Sequence, residues 1–152
     1  VLPLIIASVP DTRLYIVGQK PHASLDSLRS LEQIEVTGWV AEVQPFLHAA
    51  SVYIAPLRMG SGTRLKILEA MAAGCAVVAT NAAIAGLRDD ARQHILVDDS
   101  ARGFADAVIR LLNTPAERAR LGTESRGVVR QHYDWSALTP CLLAIYKDIG
   151  VG

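Results

Sequence analysis

The chain has 152 residues, 51% of them hydrophobic, and its 15 lysines and arginines balance 15 aspartates and glutamates, for a formal net charge of zero. That is the size of one domain, residues 1–152, with enough apolar matter for a buried core. Balanced charge argues against a broad nucleic-acid or acidic-membrane surface but leaves room for a local anion site.

Read in chain order, the pattern alternates. Val1 falls inside an apparent helix with no starting methionine, which leads us to expect a piece of a longer protein. "RLYIVG" (13–18) is a short β-branched run closed by glycine and predicts a buried strand. "ASLDSLRSLE" (23–32) has helical apolar spacing, "IEVTGW" (34–39) predicts a second strand, and "VAEVQPFLHAA" (40–50) a helix with Pro45 in its first turn or at a kink. "SVYIAP" (51–56) is the third strand, "TRLKILEAMAAG" (63–74) a helix closed by Gly74, "AVVAT" (76–80) the fourth strand and "HILVDD" (94–99) a weaker fifth. Ser100 caps the helix "ARGFADAVIRLLN", and two helical stretches follow, 115–133 and 136–150. Strands alternating with helices predict a doubly wound α/β fold, a parallel sheet of about five strands flanked by helices.

In such sheets ligands sit outside the carboxyl ends of the strands. "APLRMGSGTRLKILEAMAAG" (55–74) places a glycine loop at such an end, ahead of a helix N-terminus, which carries unpaired N–H groups and about half a positive charge. Gly60 and Gly62 let the backbone approach an anion, Ser61 and Thr63 add hydroxyls, and Arg64 and Lys66 add charge. The guest that fits is a phosphate or diphosphate. Glu69 lies roughly 10 Å farther along the helix, where it repels phosphate but accepts hydrogen bonds from sugar hydroxyls, so a nucleotide or nucleotide sugar suits the pair. The alternative is a plain turn followed by solvated helix residues, since a bare G-x-G is common and neither a Walker loop nor a third glycine is present.

The remaining conspicuous residues have plain readings. Cys75 and Cys141 are expected to be buried reduced thiols. His22, His48, His94 and His132 lack metal-ligand spacing, so no metal is expected. Trp39 is expected to be partly buried and Trp135 to anchor the last helix against the core, while the arginines from Arg118 to Arg130 form a solvated face. No run approaches the roughly 20 apolar residues of a membrane span and no signal peptide is read, which together predict a cytoplasmic protein.

The stretches "DTRLYIVGQKP", "IEVTGWVAEVQPFLHAASVYIAPLRMGSGTRLKILEAMAAGCAVVAT", "HILVDD", "FADAVIRLL" and "YDWSAL" resemble the C-terminal, donor-binding domain of retaining GT-B glycosyltransferases of the glycosyl transferases group 1 type. The resemblance implies that Gly60, Ser61, Gly62, Thr63, Arg64 and Lys66 hold the diphosphate of a UDP- or GDP-sugar. It implies that Glu69 binds the ribose hydroxyls and that Gly38, Trp39 and Val40 lie near the base. It implies no cofactor beyond this substrate and an acceptor-binding N-terminal domain elsewhere in the protein, through which any membrane-surface association would run. By the same token the isolated chain is expected to be inactive. Two positions depart from the pattern: Ser61 stands where many relatives carry glutamate, and Ala85 where the branch has glutamate before the glycine. A degenerate, non-catalytic nucleotide- or phosphate-binding domain and a nucleotide-sugar epimerase-like domain are the alternatives. A receiver domain is disfavoured, because Asp89, Asp90, Asp98 and Asp99 do not follow the strands that would gather magnesium.

The resemblance also implies a further, central strand ahead of residue 13. In its absence we expect "RLYIVG" to close onto "SVYIAP", giving the strand order 2-1-3-4-5, with residues 1–8 as a short helix; a homodimer filling the gap is the alternative.

Overall fold

The computed structural model describes residues 1–19, 25, 28–59 and 64–150. Five strands are β1 (Leu14–Val17), β2 (Ile34–Gly38), β3 (Tyr53–Ala55), β4 (Val77–Ala79) and β5 (Ile95–Val97). The helices are α1 (Leu2–Ser8), α2 (Gln44–Ala49), α3 (Leu65–Ala72), α4 (Asn81–Ile84), α5 (Asp89–Arg92), α6 (Ala101–Asn113), α7 (Pro115–His132) and α8 (Trp135–Asp148). Every expected strand forms, and Pro45 lies in the first turn of α2, where a missing N–H is tolerated. The helix expected over 23–32 falls largely outside the described residues. The short helices α4 and α5 were not expected.

All the pairings are parallel, but the strands form two ladders, β1-β2 and β3-β4-β5. The expected closure of β1 onto β3 therefore does not occur. Closure was expected on the premise that unpaired edges would lie in an apolar interior. Instead β1 has no fully buried residue and Tyr15 is 47% exposed, and Tyr53 and Ile54 of β3 are only half-buried. These edges therefore do not lie wholly in an apolar interior, which weakens the premise for closure, although Ala55 of β3 is buried. Residues 2–8 form the expected short helix, which lays Ile5, 3% exposed, among the residues of α6.

β4 is the centre of the larger ladder and is buried along its whole length. Its alternation feeds two cores. Val77 and Ala79 pack with Met71, Ile84 and Val129, while Ala76 and Val78 pack with Ile5, Phe104, Val108 and Leu111. The second core exists because α6 buries Phe104, Ala105, Val108 and Leu111, one helical stripe. Its first turn is set by polar groups. The Asp98 carboxylate accepts from Ser100 N and Oγ, both at 2.7 Å, and Ser100 Oγ accepts from Gly103 N at 3.0 Å. A Cβ at Gly103 would meet the Asp98 carboxylate, so a larger residue there would have to displace that side chain from its place at the turn.

α7 closes the first core from outside. It meets the end of α3 through Gly122, whose missing Cβ would stand 2.0 Å from the Gly74 carbonyl oxygen. His94 Nδ1 and Glu124 Oε2 (3.1 Å), His132 Nε2 and Asp90 Oδ2 (3.2 Å), and Arg88 N donating to Tyr133 Oη (2.9 Å) tie α7 to the segment around α5. The arginines of α7 are not all a solvated face: Arg118 Nη1 donates to the carbonyls of Leu111 and Leu112 and so closes the end of α6.

α8 follows an Asp134 N-cap but buries no residue. Trp135, expected to anchor it, is 77% exposed, and the main packing of α8 is against α7. Cys75 is buried as expected, whereas Cys141, on α8, is exposed. Among the described residues no helix is long and apolar enough to cross a membrane.

The Gly122–Gly74 contact can be tested directly. Gly122→Ala should destabilise the chain by about 1–3 kcal/mol through backbone displacement, read as a lower urea midpoint with an unchanged slope. An unaltered midpoint would mean that α7 and α3 do not approach this closely.

Candidate functional site

α3 has two faces. Ile67, Leu68, Ala70 and Met71 are buried, and Leu65, Lys66 and Glu69 face solvent. The sequence places Lys66 and Glu69 three residues apart, so they lie on one exposed side of the helix. Arg64 is the N-cap residue and is half-buried. Gly60, Ser61, Gly62 and Thr63 lie outside the described residues. Arg64, Lys66 and Glu69 are thus brought to one short helix and its N-cap beyond the carboxyl end of β3, and an open cleft of about 410 Å³ runs between β3 with the following Pro56 and Leu57 and the start of α3. A smaller depression of about 310 Å³ between β5 and α6, lined by Asp98, Asp106 and Arg110, contains none of the predicted residues.

Glu69 makes itself felt on the cleft wall. The Tyr53 phenol is pushed above its ordinary pKa, first by burial, then by the Glu69 negative charge and then by Cys75. The carboxylate on α3 therefore stands close enough to β3 to act on a group that lines the cleft.

Gly38, Trp39 and Val40 lie at the end of β2. Gly38 has φ +70°, a left-handed turn that favours glycine, and its carbonyl accepts from Gly18 N at 3.2 Å. That turn carries Trp39 off the strand end to 68% exposure, against the expectation of partial burial. Val40 is half-buried. None of the described hydrogen bonds joins this turn to α3.

The end of β4 holds residues that sequence reasoning missed. Thr80, 8% exposed, is the N-cap of α4. Its Oγ1 donates to the Leu57 carbonyl and accepts from Ala83 N at 3.3 Å. Arg64 Nη2 donates to the Ala82 carbonyl at 2.8 Å. Asn81 donates from its backbone N and its Nδ2 to the two carboxylate oxygens of Asp99, both at 2.8 Å. The Asn81 side-chain donor first, and the Asn81 backbone N–H second, hold the Asp99 carboxyl below the usual carboxylate range. The available signal was the N-cap preference: a threonine between an apolar strand and a helical turn is a preferred capping residue, but "AVVAT" reads naturally as a five-residue strand. Ala85 closes α4 and Gly86 follows with φ +87°.

The arrangement offers a partly buried guanidinium, an exposed ammonium and a carboxylate beside an open cleft at a strand end. It can hold an anion at the helix start and a hydroxylated group farther along. Among the described residues no group of three His, Cys, Asp or Glu side chains is placed to hold a metal ion.

The family described as "Glycosyl transferases group 1" matches residues 1–114. The chain is 31% identical over 165 residues to a phosphatidyl-myo-inositol mannosyltransferase of Mycobacterium tuberculosis, covering 97% of this chain and 42% of that protein. It is 34% identical over 166 residues to the protein of the same name from Mycolicibacterium smegmatis, covering 97% and 40%. The chain thus spans about two fifths of the length of these relatives. Among solved structures, sucrose-phosphate synthase from Thermosynechococcus elongatus superposes with a TM-score of 0.78 at 21% identity, covering 97% of this chain and 41% of that one, a likeness of fold.

The Asp99 clasp has a pH signature. A carboxyl whose pKa is lowered by folding adds stability above its unfolded pKa and loses it as pH falls through the folded value. Asp99 should titrate below the ordinary carboxylate range by NMR, and Asn81→Ala should return it upward. Ordinary titration in both proteins would contradict the clasp.

Proposed function

Because the chain belongs to the glycosyl transferases group 1 family, we propose that it is the donor-binding half of an enzyme that moves a sugar from a nucleotide diphosphate sugar to an acceptor. The observation that carries this is the family match over residues 1–114, the span that contains the cleft, α3 and the rim of strand ends. In this reading Arg64, Lys66 and the loop from Gly60 to Thr63 meet the diphosphate, and a helix start supplies further N–H donors. Glu69 accepts from the ribose hydroxyls, and Gly38, Trp39 and Val40 lie toward the base. Charge on the departing diphosphate is offset by these groups without a metal ion.

The name shared by the mycobacterial relatives supports a mannosyl group as the sugar transferred. Acceptor binding and the completed reaction belong to the remainder of a protein of the relatives' length.

Calorimetry with GDP and UDP tests the reading on this chain. One of the two should bind. Lys66→Ala should weaken it roughly ten- to a hundredfold, the loss of one charge-assisted contact of about 1.5–3 kcal/mol. Glu69→Gln should weaken the same nucleotide while leaving inorganic pyrophosphate unaffected or tighter. Equal loss of both ligands in Glu69→Gln would give Glu69 a structural role instead, and no binding of either nucleotide would overturn the proposal.

A further inference from the structure

The segment that carries the candidate loop leaves β3 at Pro56 and enters α3 at Leu65, and both of its flanks are tied to the same place. On the entering side the Leu57 carbonyl accepts from Thr80 Oγ1. On the leaving side Arg64 Nη2 donates to the Ala82 carbonyl at 2.8 Å. Thr80 and Ala82 belong to one turn, the start of α4, and that turn is itself locked: Thr80 Oγ1 accepts from Ala83 N at 3.3 Å, Thr80 N donates to the Ala55 carbonyl at 3.3 Å, and Asn81 is clasped by Asp99.

We propose that Thr80 is a positioning residue: through its hydroxyl, the first turn of α4 is tied to the Leu57 carbonyl and held in the place where its Ala82 carbonyl fixes the Arg64 guanidinium, which sets where that cation meets a diphosphate. This rests on the reading that Arg64 binds a diphosphate. The chemistry calls for a hydroxyl at this position, because one atom must donate to a carbonyl and accept from an N–H at once. Serine and threonine can do this, whereas valine, of the same shape, can do neither. Thr80 is 8% exposed and Ala83 is fully buried, so losing the hydroxyl leaves the part-buried Leu57 carbonyl without this partner and leaves Ala83 N with the Thr80 backbone carbonyl, at 3.0 Å, alone. Arg64 gains a second duty. Its guanidinium is fixed by the Ala82 carbonyl, which orders the cation before any anion arrives and lowers the entropy lost on binding.

Thr80→Val, Thr80→Ser and Arg64→Lys in this chain form the test, read by amide hydrogen exchange and by calorimetry with GDP and UDP. Thr80→Val should speed exchange at Ala83 and weaken nucleotide binding about tenfold, the scale of one buried hydrogen bond. Thr80→Ser should stay within about twofold of the parent in both. Arg64→Lys keeps the charge but loses the fixed guanidinium fork, and should weaken binding, which keeps the test open if Thr80→Val fails to fold. Parental exchange and affinity in Thr80→Val, a Thr80→Ser variant as impaired as Thr80→Val, or an Arg64→Lys variant that binds as the parent does, would each overturn the brace. If the parent chain binds neither nucleotide, the donor-binding reading falls, and exchange at Ala83 and Arg64 in Thr80→Val against Thr80→Ser still decides whether the brace exists.

Discussion

The burial of β4 is the constraint on which the rest depends. Val77, Val78 and Ala79 expose no surface, and successive side chains enter different cores. Each buried valine contributes about 1.5–3 kcal/mol relative to exposure. A slip of one residue would exchange the two faces, setting Val78 against α3 and Val77 against α6. Both cores fix the register, so the residue that leaves the strand, Thr80, emerges at a determined position. The rim of strand ends inherits that rigidity without needing a large interface of its own.

The rim works with few charges. Its polar groups are satisfied mostly by one another: threonine with a carbonyl and an N–H, asparagine with a carboxylate, arginine with a carbonyl. Such a network is costly when half-made and stiff when complete. Its result is a cleft wall with two cationic side chains, Arg64 and Lys66, near a helix start and a carboxylate, Glu69, a turn beyond. A chain of zero net charge can attract an anion in this way through local arrangement alone.

Much of this was legible in the sequence, for stated reasons. Short β-branched runs gave all five strands, and Ser100 marked the start of α6 because a capping hydroxyl before an amphipathic stripe is a local signal. The site residues on α3 follow from periodicity once its N-terminus is placed. What failed depended on partners distant in sequence or not determined by it. Trp39 after a strand-ending glycine and Trp135 at the start of the last helix both read as at least partly buried, yet a ring is buried only where something packs on it, and both are exposed. Pairing of β1 with β3 is expected where open edges are costly, and that cost is smaller where the strands are not fully buried. The bond from Arg64 to Ala82 spans 18 residues and leaves no trace in local pattern. The four-residue helices α4 and α5 are too short to show a helical period.

Backbone amide shifts recorded while the chain is titrated with GDP, and in parallel with UDP, test the central claim most directly. The shifts caused by the nucleotide that binds should cluster at Arg64–Glu69, at Thr80–Ala83 and at Gly38–Val40. Shifts confined to the depression between β5 and α6, around Asp98 and Arg110, or no shifts with either nucleotide, would contradict it.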